Sequence, residues 1–381
     1  MEVYFDNSAT TKPTEEVIEA VINGMREFYG NPSSLHKMGI KCDRELLSCR
    51  EKLASLINCT KEEVYFTSGG SESNNMIIKG ITKPGNHIII SNFEHPSVLS
   101  TCKELEEHGV KVTYLDVNSV GQIDIEQLEE SICKDTVLVS IMHVNNEIGT
   151  IQDLERIGNL IKERSQRAKF HVDAVQSFGK FKIDVKKYKI DMLSVSAHKI
   201  HGPKGIGFCY IRKGLSLAPL ISGGGQEKGF RSGTENLPSA LGMVKAAEEI
   251  SKNIESNFNK VTELKRYFID KLQNIKDIKI NSPLDNKISP YVLNVSFIGV
   301  RAEVLLHLLE EKDIYVSTGS ACSSRHISTK GSHVLNAIGL TEKEITGAIR
   351  FSFSSFNTIE EVDYVIEVLR NSLTFLRRVK I

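Results

Sequence analysis

Short apolar runs alternate with longer amphipathic segments through the middle of this chain, and that rhythm restricts its fold more than any other feature. The runs are Glu63–Phe66, His87–Ile90, Val112–Leu115, Thr136–Ile141, Lys169–Val172, Met192–Val195 and Ile206–Ile211. Between them lie segments such as Ser97–His108, Ile125–Ile132 and Leu154–Arg164, whose apolar residues recur at helical spacing. Strands alternating with helices imply right-handed crossovers and a mostly parallel sheet covered on both faces. Gly207–Ile211 is also open to reading as an edge hairpin. Two helices precede the alternation, Thr14–Phe28 and Glu45–Ile57.

After Gly223-Gly224-Gly225 the rhythm changes. Pro238–Leu272 reads as one long helix with Ala240, Met243, Ala246, Ala247 and Ile250 on one stripe. Then follow a strand at Val292–Phe297, a helix at Glu303–Glu310, a strand at Ile314–Ser317 and helices near Ser332–Ile338 and Glu360–Phe375. A chain of 381 residues exceeds what one core usually supports, so a large domain and a smaller α/β domain packed on it are expected.

Composition narrows the partners. With 48 basic and 48 acidic residues, nothing argues for a nucleic-acid or membrane surface. No apolar run reaches the roughly 20 residues that span a bilayer, and Met1–Asp6 does not read as a signal peptide. Seven cysteines, without framework spacing, read as reduced thiols of a cytosolic protein. No Cys-x-x-Cys or His-x-x-x-His spacing supports a metal site.

The chemistry-bearing residues fall just after the apolar runs. Asp173 ends His171-Val172-Asp173, and Ser196-Ala197-His198-Lys199 follows the next run. Together they are what a protein needs to hold pyridoxal 5′-phosphate. The lysine forms an imine with the aldehyde, and the aspartate keeps the pyridine nitrogen protonated so that the ring draws electrons. Thr67-Ser68-Gly69-Gly70-Ser71-Glu72-Ser73-Asn74 joins a strand to a helix, a setting that favours phosphate or serves as an ordinary capped turn. His95 sits at a strand's C-terminal end, where it is either a bystander or an imidazole stacked on the ring. Asn146 could bond the cofactor's phenolic oxygen, and Gln176 lies a helical turn beyond Asp173. Arg231-Ser232-Gly233-Thr234 reads as a phosphate clamp. Arg350 interrupts an apolar run and is either paired structurally or offered to a ligand carboxylate.

Cys322 alone among the thiols lies in a run of small residues, Ser317-Thr318-Gly319-Ser320-Ala321-Cys322-Ser323-Ser324. Cys49, Cys59, Cys102, Cys133 and Cys209 fall within or beside helical or strand segments, where buried thiols are usually inert. Cys42, with polar neighbours, stays open as a second candidate.

Taken in order, these motifs resemble the cysteine desulfurases of the NifS/IscS type, group I, in class V of the fold-type I pyridoxal-phosphate enzymes. The resemblance runs nearly end to end. It includes Tyr4–Thr11, Gly30-Asn31-Pro32-Ser33-Ser34, Leu293–Phe297 and Ile349-Arg350-Phe351-Ser352. It implies an α/β, fold-type I architecture. A large cofactor-binding domain, residues 14–255, would carry a mostly parallel seven-stranded sheet. Residues 1–13 and 256–381 would form the smaller domain bearing the catalytic cysteine loop.

The resemblance further implies that Lys199 holds the cofactor, that His95 stacks on the ring and moves protons, and that Cys322 becomes a persulfide. Asp173 would bind the pyridine nitrogen, with Gln176 and Asn146 near the phenolic oxygen or substrate. Gly70, Ser71, Ser196 and His198 would bind phosphate, joined by Thr234 from the neighbouring subunit of a homodimer. Arg350 would grip the carboxylate of the substrate, L-cysteine. The sulfur would pass to an acceptor protein for iron–sulfur assembly or tRNA thiolation. The chain ends at Ile381 without the longer tail of housekeeping members, which leaves the acceptor open. A selenocysteine lyase, another class V enzyme and a non-catalytic sulfur-carrier relative are the alternatives.

Overall fold

The computed structural model describes residues 1–319 and 331–379, so Cys322 lies outside the described residues. Twelve strands are present among them. Seven form one sheet: β2 (Val64–Thr67), β3 (His87–Ser91), β4 (Lys111–Leu115), β5 (Thr136–Met142), β6 (Lys169–Asp173), β7 (Met192–Ser196) and β8 (Gly207–Ile211), ordered β2-β8-β7-β6-β5-β3-β4. The pairs β3–β4, β3–β5, β5–β6 and β6–β7 are parallel. Every residue of β3 and β5 is buried, which explains why these strands read as continuous apolar runs: helices cover both faces.

Gly207–Ile211 does turn back antiparallel on β7, but it is not an edge. Its other side pairs antiparallel with Val64–Thr67, which takes the edge position. Reversed at β8 and again at β2, the chain leaves β2 running the same way as β7. The C-terminal ends of β2, β3, β5, β6 and β7 therefore lie at one side of the sheet.

The remaining strands are β1 (Val3–Tyr4), β9 (Ile278–Ile280), β10 (Val292–Phe297), β11 (Ile314–Tyr315) and β12 (Ala348–Ser352). They form a three-stranded antiparallel sheet, β12-β10-β9, and a parallel pair, β1-β11. The first strand thus joins the C-terminal third of the chain. Val3 and Phe5 are buried with Phe268, Phe351 and Phe353, separately from the large core built on β5, β6 and β7.

The expected single helix over Pro238–Leu272 is two, Leu237–Lys252 and Ile254–Leu272, broken at Asn253. Ala240, Met243, Ala246 and Ala247 pack into the large core, whereas Val261, Leu264, Phe268 and Leu272 pack with Phe5 and Phe351. Asn253, at φ −120° and ψ 18°, ends the first helix where the apolar stripe changes core. Helical periodicity runs unbroken through such a joint.

Candidate active site

A cleft of about 760 Å³, counting its mouth, opens at that shared side of the sheet, the place where parallel sheets bind ligands. Lys199, Asp173, His95, Asn146, Gln176 and Arg350 line it, with Gly70, Ser71, Ser196 and His198. Ten expected site residues, scattered over much of the chain, are therefore brought together.

Asp173 is the last residue of β6 and is buried. Its Oδ1 accepts from Val175 N–H at 3.0 Å, and Oδ2 accepts from Asn74 Nδ2 at 2.8 Å. The same Asn74 nitrogen donates to Ser97 Oγ at 2.9 Å, and Ser97 Oγ lies 2.8 Å from His95 Nδ1. His95 caps the helix Pro96–Glu107, its Nδ1 accepting from Ser97 N–H at 3.1 Å. With Nδ1 committed as acceptor, a neutral His95 carries its proton on Nε2. Burial lowers its pKa below the ordinary histidine value, with Asp173 opposing and Lys199 adding to the shift.

Lys199 follows β7 in a single helical turn, Ala197–Lys199. Its ammonium donates to the carbonyl of Ser8 and, at 2.8 Å, to that of Ala9. Gln176 Nε2 reaches the same Ser8 carbonyl at 2.9 Å. The N-terminal segment therefore seats both side chains. Ser8, Asn74 and Ser97 carry no assigned role in the sequence reading. Asn74, closing the Thr67–Asn74 motif, and Ser8 in Tyr4–Thr11 were visible only as parts of longer motifs.

The opposite wall suits an anion. The helix Gly70–Ile81 starts behind Gly69, whose φ of 151° and ψ of −172° belong to a region open essentially to glycine. Among the described residues no side chain caps this helix, so its first N–H groups and the positive end of its dipole are left for a ligand. A Cβ on Gly70 would approach Val175 Cγ2 to 2.5 Å, so the backbone must stay bare there. Ser71, Ser196 and His198 stand around it. Burial, then Lys199, pushes the His198 pKa down to about 4, leaving the ring neutral near pH 7.

Arg350, in β12, is almost wholly buried. It reaches the cleft while bonding Asp6 Oδ1 at 2.8 Å and the Asn146 carbonyl at 3.0 Å. The arginine is thus paired structurally and also lines the cleft.

Thr234 is exposed and outside the cleft lining. Its segment is nonetheless anchored, since Arg50 grips Glu227 with two bonds of 2.7 Å. Arg231 is not a free clamp, because its Nε pairs with Glu72 at 2.8 Å. Cys133 also departs from expectation: it is exposed, whereas Cys42, Cys49, Cys102 and Cys209 are buried.

This donor set fits pyridoxal phosphate. An uncapped helix N-terminus answers the phosphate, the Lys199 amine the aldehyde, and the Asp173 carboxylate the ring nitrogen.

Comparison with known proteins agrees with the geometry. Residues 3–365 match the family described as aminotransferase class-V. Cysteine desulfurase IscS of Dictyoglomus turgidum is 43% identical, the match covering 99% of this chain and 96% of that protein. A solved structure titled NifS-like protein superposes with a TM-score of 0.92 at 41% identity, covering 98% of this chain and all of that one. Another, titled SspA in complex with cysteine, has a TM-score of 0.81 at 37% identity, covering 94% and 100%. Sequence and structure agree that the chain belongs to the class-V aminotransferase family.

Proposed function

We propose that this protein is a pyridoxal-phosphate-dependent cysteine desulfurase. One observation carries the reading: the Lys199 amine, the Asp173 carboxylate, the uncapped helix at Gly70 and the Arg350 guanidinium converge on one cleft. Relatives at 43–44% identity over nearly the whole chain bear the cysteine desulfurase name.

When bound, the cofactor supplies an electron sink that acidifies the α-carbon of an amino acid. Asp173, oriented by Asn74 and Val175, would hold the proton on the ring nitrogen. Lys199 would hold the aldehyde end of the cofactor and would move a proton at the substrate α-carbon. His95 offers its Nε2 proton for a second transfer, and Arg350 seats the carboxylate. Cys322 takes the sulfur: the substrate's C–S bond breaks, an S–S bond forms, and a proton at the β-carbon completes alanine. L-Cysteine and an enzyme thiol thus give L-alanine and an enzyme persulfide, with atoms and electrons balanced.

The finer assignments belong to this reading. Residues 14–255 form the large domain, and 1–13 with 256–381 the smaller one, a division supported by the separate cores. The enzyme is a homodimer in which Thr234 of the partner subunit joins the phosphate site. Exposed apolar residues Met25, Tyr29, Leu35, Ile40 and Leu47, with Leu220 and Ile221, support such an interface. The persulfide passes to an acceptor protein of iron–sulfur assembly or tRNA thiolation. A cytoplasmic setting is supported by six free thiols among the described residues. No described helix is long and apolar enough to cross a membrane.

The test is cysteine-dependent alanine release by the purified, cofactor-loaded protein, with borohydride trapping of the cofactor. A pyridoxyl adduct on Lys199 and loss of alanine release in Lys199→Ala are expected. Trapping on another lysine, or cofactor-loaded protein that releases no alanine, overturns the reading.

A further inference from the structure

Glu147 stands where the two flanks of residues 320–330 meet. From one side, Ser332 donates its hydroxyl to Glu147 Oε2 at 2.5 Å. From the other, buried Gly319 packs close enough that a Cβ built on it would fall 3.3 Å from the same oxygen. Glu147 is only 1% exposed. Its N–H donates to Asn145 Oδ1 at 2.8 Å and its carbonyl accepts from Asn294 Nδ2 at 3.3 Å, so the carboxylate projects from a fixed turn.

Each flank is also bonded to a residue that lines the cleft or adjoins one that does. Ser317 exchanges two backbone bonds with Arg350, 2.7 and 3.2 Å, and its hydroxyl donates to the Gly319 carbonyl at 2.8 Å. Ser332 caps the helix His333–Ala337, and His333 Nε2 lies 2.9 Å from the Glu94 carbonyl, next to His95. Asn146, beside Glu147, gives its carbonyl to Arg350. One carboxylate thus bonds the second flank and packs beside the first, next to the wall that holds Arg350.

We propose that Glu147 is a positioning residue for sulfur transfer, bonding Ser332 while packing beside Gly319 and so holding both points from which the chain carrying Cys322 departs. The proposal rests on the Cys322 persulfide reading. Transfer of sulfur between two groups depends steeply on how well they are placed, and tethering the ends of a segment raises the chance of productive approach.

The experiment compares the cofactor-loaded wild type with Glu147→Ala, Glu147→Gln, Ser332→Ala and the Glu147→Ala/Ser332→Ala double variant. Glu147→Ala and Ser332→Ala should each slow alanine formation roughly ten- to a hundredfold, with KM for cysteine and cofactor content unchanged. The double variant should be no slower than the slower single, because both remove one contact. Glu147→Gln, which keeps an oxygen for the Ser332 hydroxyl, should recover most of the rate. In single-turnover mixing, the delay should fall on persulfide formation at Cys322, read by mass spectrometry. Cysteine binding, read by cofactor absorbance, should keep its wild-type rate. Wild-type turnover in Glu147→Ala, slowing that tracks lost cofactor, or single effects that multiply in the double variant would each overturn the proposal. Sulfur on a different cysteine in the wild type overturns the persulfide reading and this proposal with it.

Discussion

Arg350 and Asp6 form an ion pair of 2.8 Å inside the wall of the cleft. Of the five N–H donors of the guanidinium, Asp6 and the Asn146 carbonyl each take one, and Nε is buried without a partner among the described residues. The pair orients the group and leaves donors for a carboxylate. Arg350→Ala should therefore raise KM for cysteine more than it lowers kcat, since a bidentate contact in a dry site contributes about 2–4 kcal/mol. Arg350→Lys should fall between the two, because an ammonium cannot hold Asp6 and a substrate carboxylate in one plane. Steady-state kinetics check this, and an unchanged KM would make Arg350 purely structural.

Asn74 is the donor that holds Asp173 Oδ2, at 2.8 Å. Asp173→Asn keeps the shape but loses the charge that protonates the ring nitrogen, so turnover should fall by orders of magnitude with less effect on cofactor content. Asn74→Ala should lower turnover less, about 10- to 100-fold, as expected for a hydrogen bond to a charged group. Cofactor absorbance and alanine release, measured on both variants, separate binding from chemistry. Asp173→Asn turning over at the wild-type rate would remove it from this role.

The large sheet was legible because buried parallel strands produce uninterrupted apolar runs, and chemistry-bearing residues cluster just after them. What stayed hidden depends on distance in sequence. Ser8 and Ala9 seat Lys199 from 190 residues away, and neither carries a side chain whose chemistry announces that use, because only their carbonyls serve. The break at Asn253 was hidden because both helices share one periodicity while packing on different cores. The exposure of Cys133 follows from its place before β5, on the turn Ile132–Asp135, where local apolar spacing does not report burial.

Glu94 predicts a pH dependence. Its Oε1 accepts from Ser91 Oγ at 2.6 Å and Met142 N–H at 3.0 Å, while Oε2 is buried without a partner among the described residues. Burial raises its pKa from 4.5 to about 8, with nearby Asp173 adding to the rise. Between those values the folded chain holds one proton more than the unfolded chain. That contribution to stability is fully present below pH 4.5 and is lost as pH rises through about 8, at up to about 1.4 kcal/mol per pH unit. Glu94→Gln is neutral throughout, so wild type should lose stability relative to it between about pH 5 and pH 8. Urea unfolding of both proteins across that range checks the slope, and parallel curves would refute a protonated Glu94.

Replacing Cys322 should separate sulfur removal from everything that precedes it. Cys322→Ala should keep the cofactor and its colour and still bind cysteine, yet release no alanine, because the earlier steps need only Lys199 and the ring. The other thiols are poorly placed to substitute. Burial pushes Cys49 and Cys102 up to about 12 and Cys209 well above its usual range, and a thiol must be ionised to attack sulfur. Cys42 is wholly buried on the helix Lys37–Leu56. Cys133 is the informative control: it is exposed, and a hydrogen bond from Thr136 lowers its pKa. It precedes β5, however, and its sulfur lies 3.6 Å from His87 at the start of β3, so it sits at the N-terminal ends of these strands, opposite the cleft. Cys133→Ala should retain most activity, and mass spectrometry of the wild type after cysteine treatment should find one added sulfur on the peptide carrying residue 322. Sulfur on Cys133 or Cys42, or wild-type turnover in Cys322→Ala, would show that another thiol receives it.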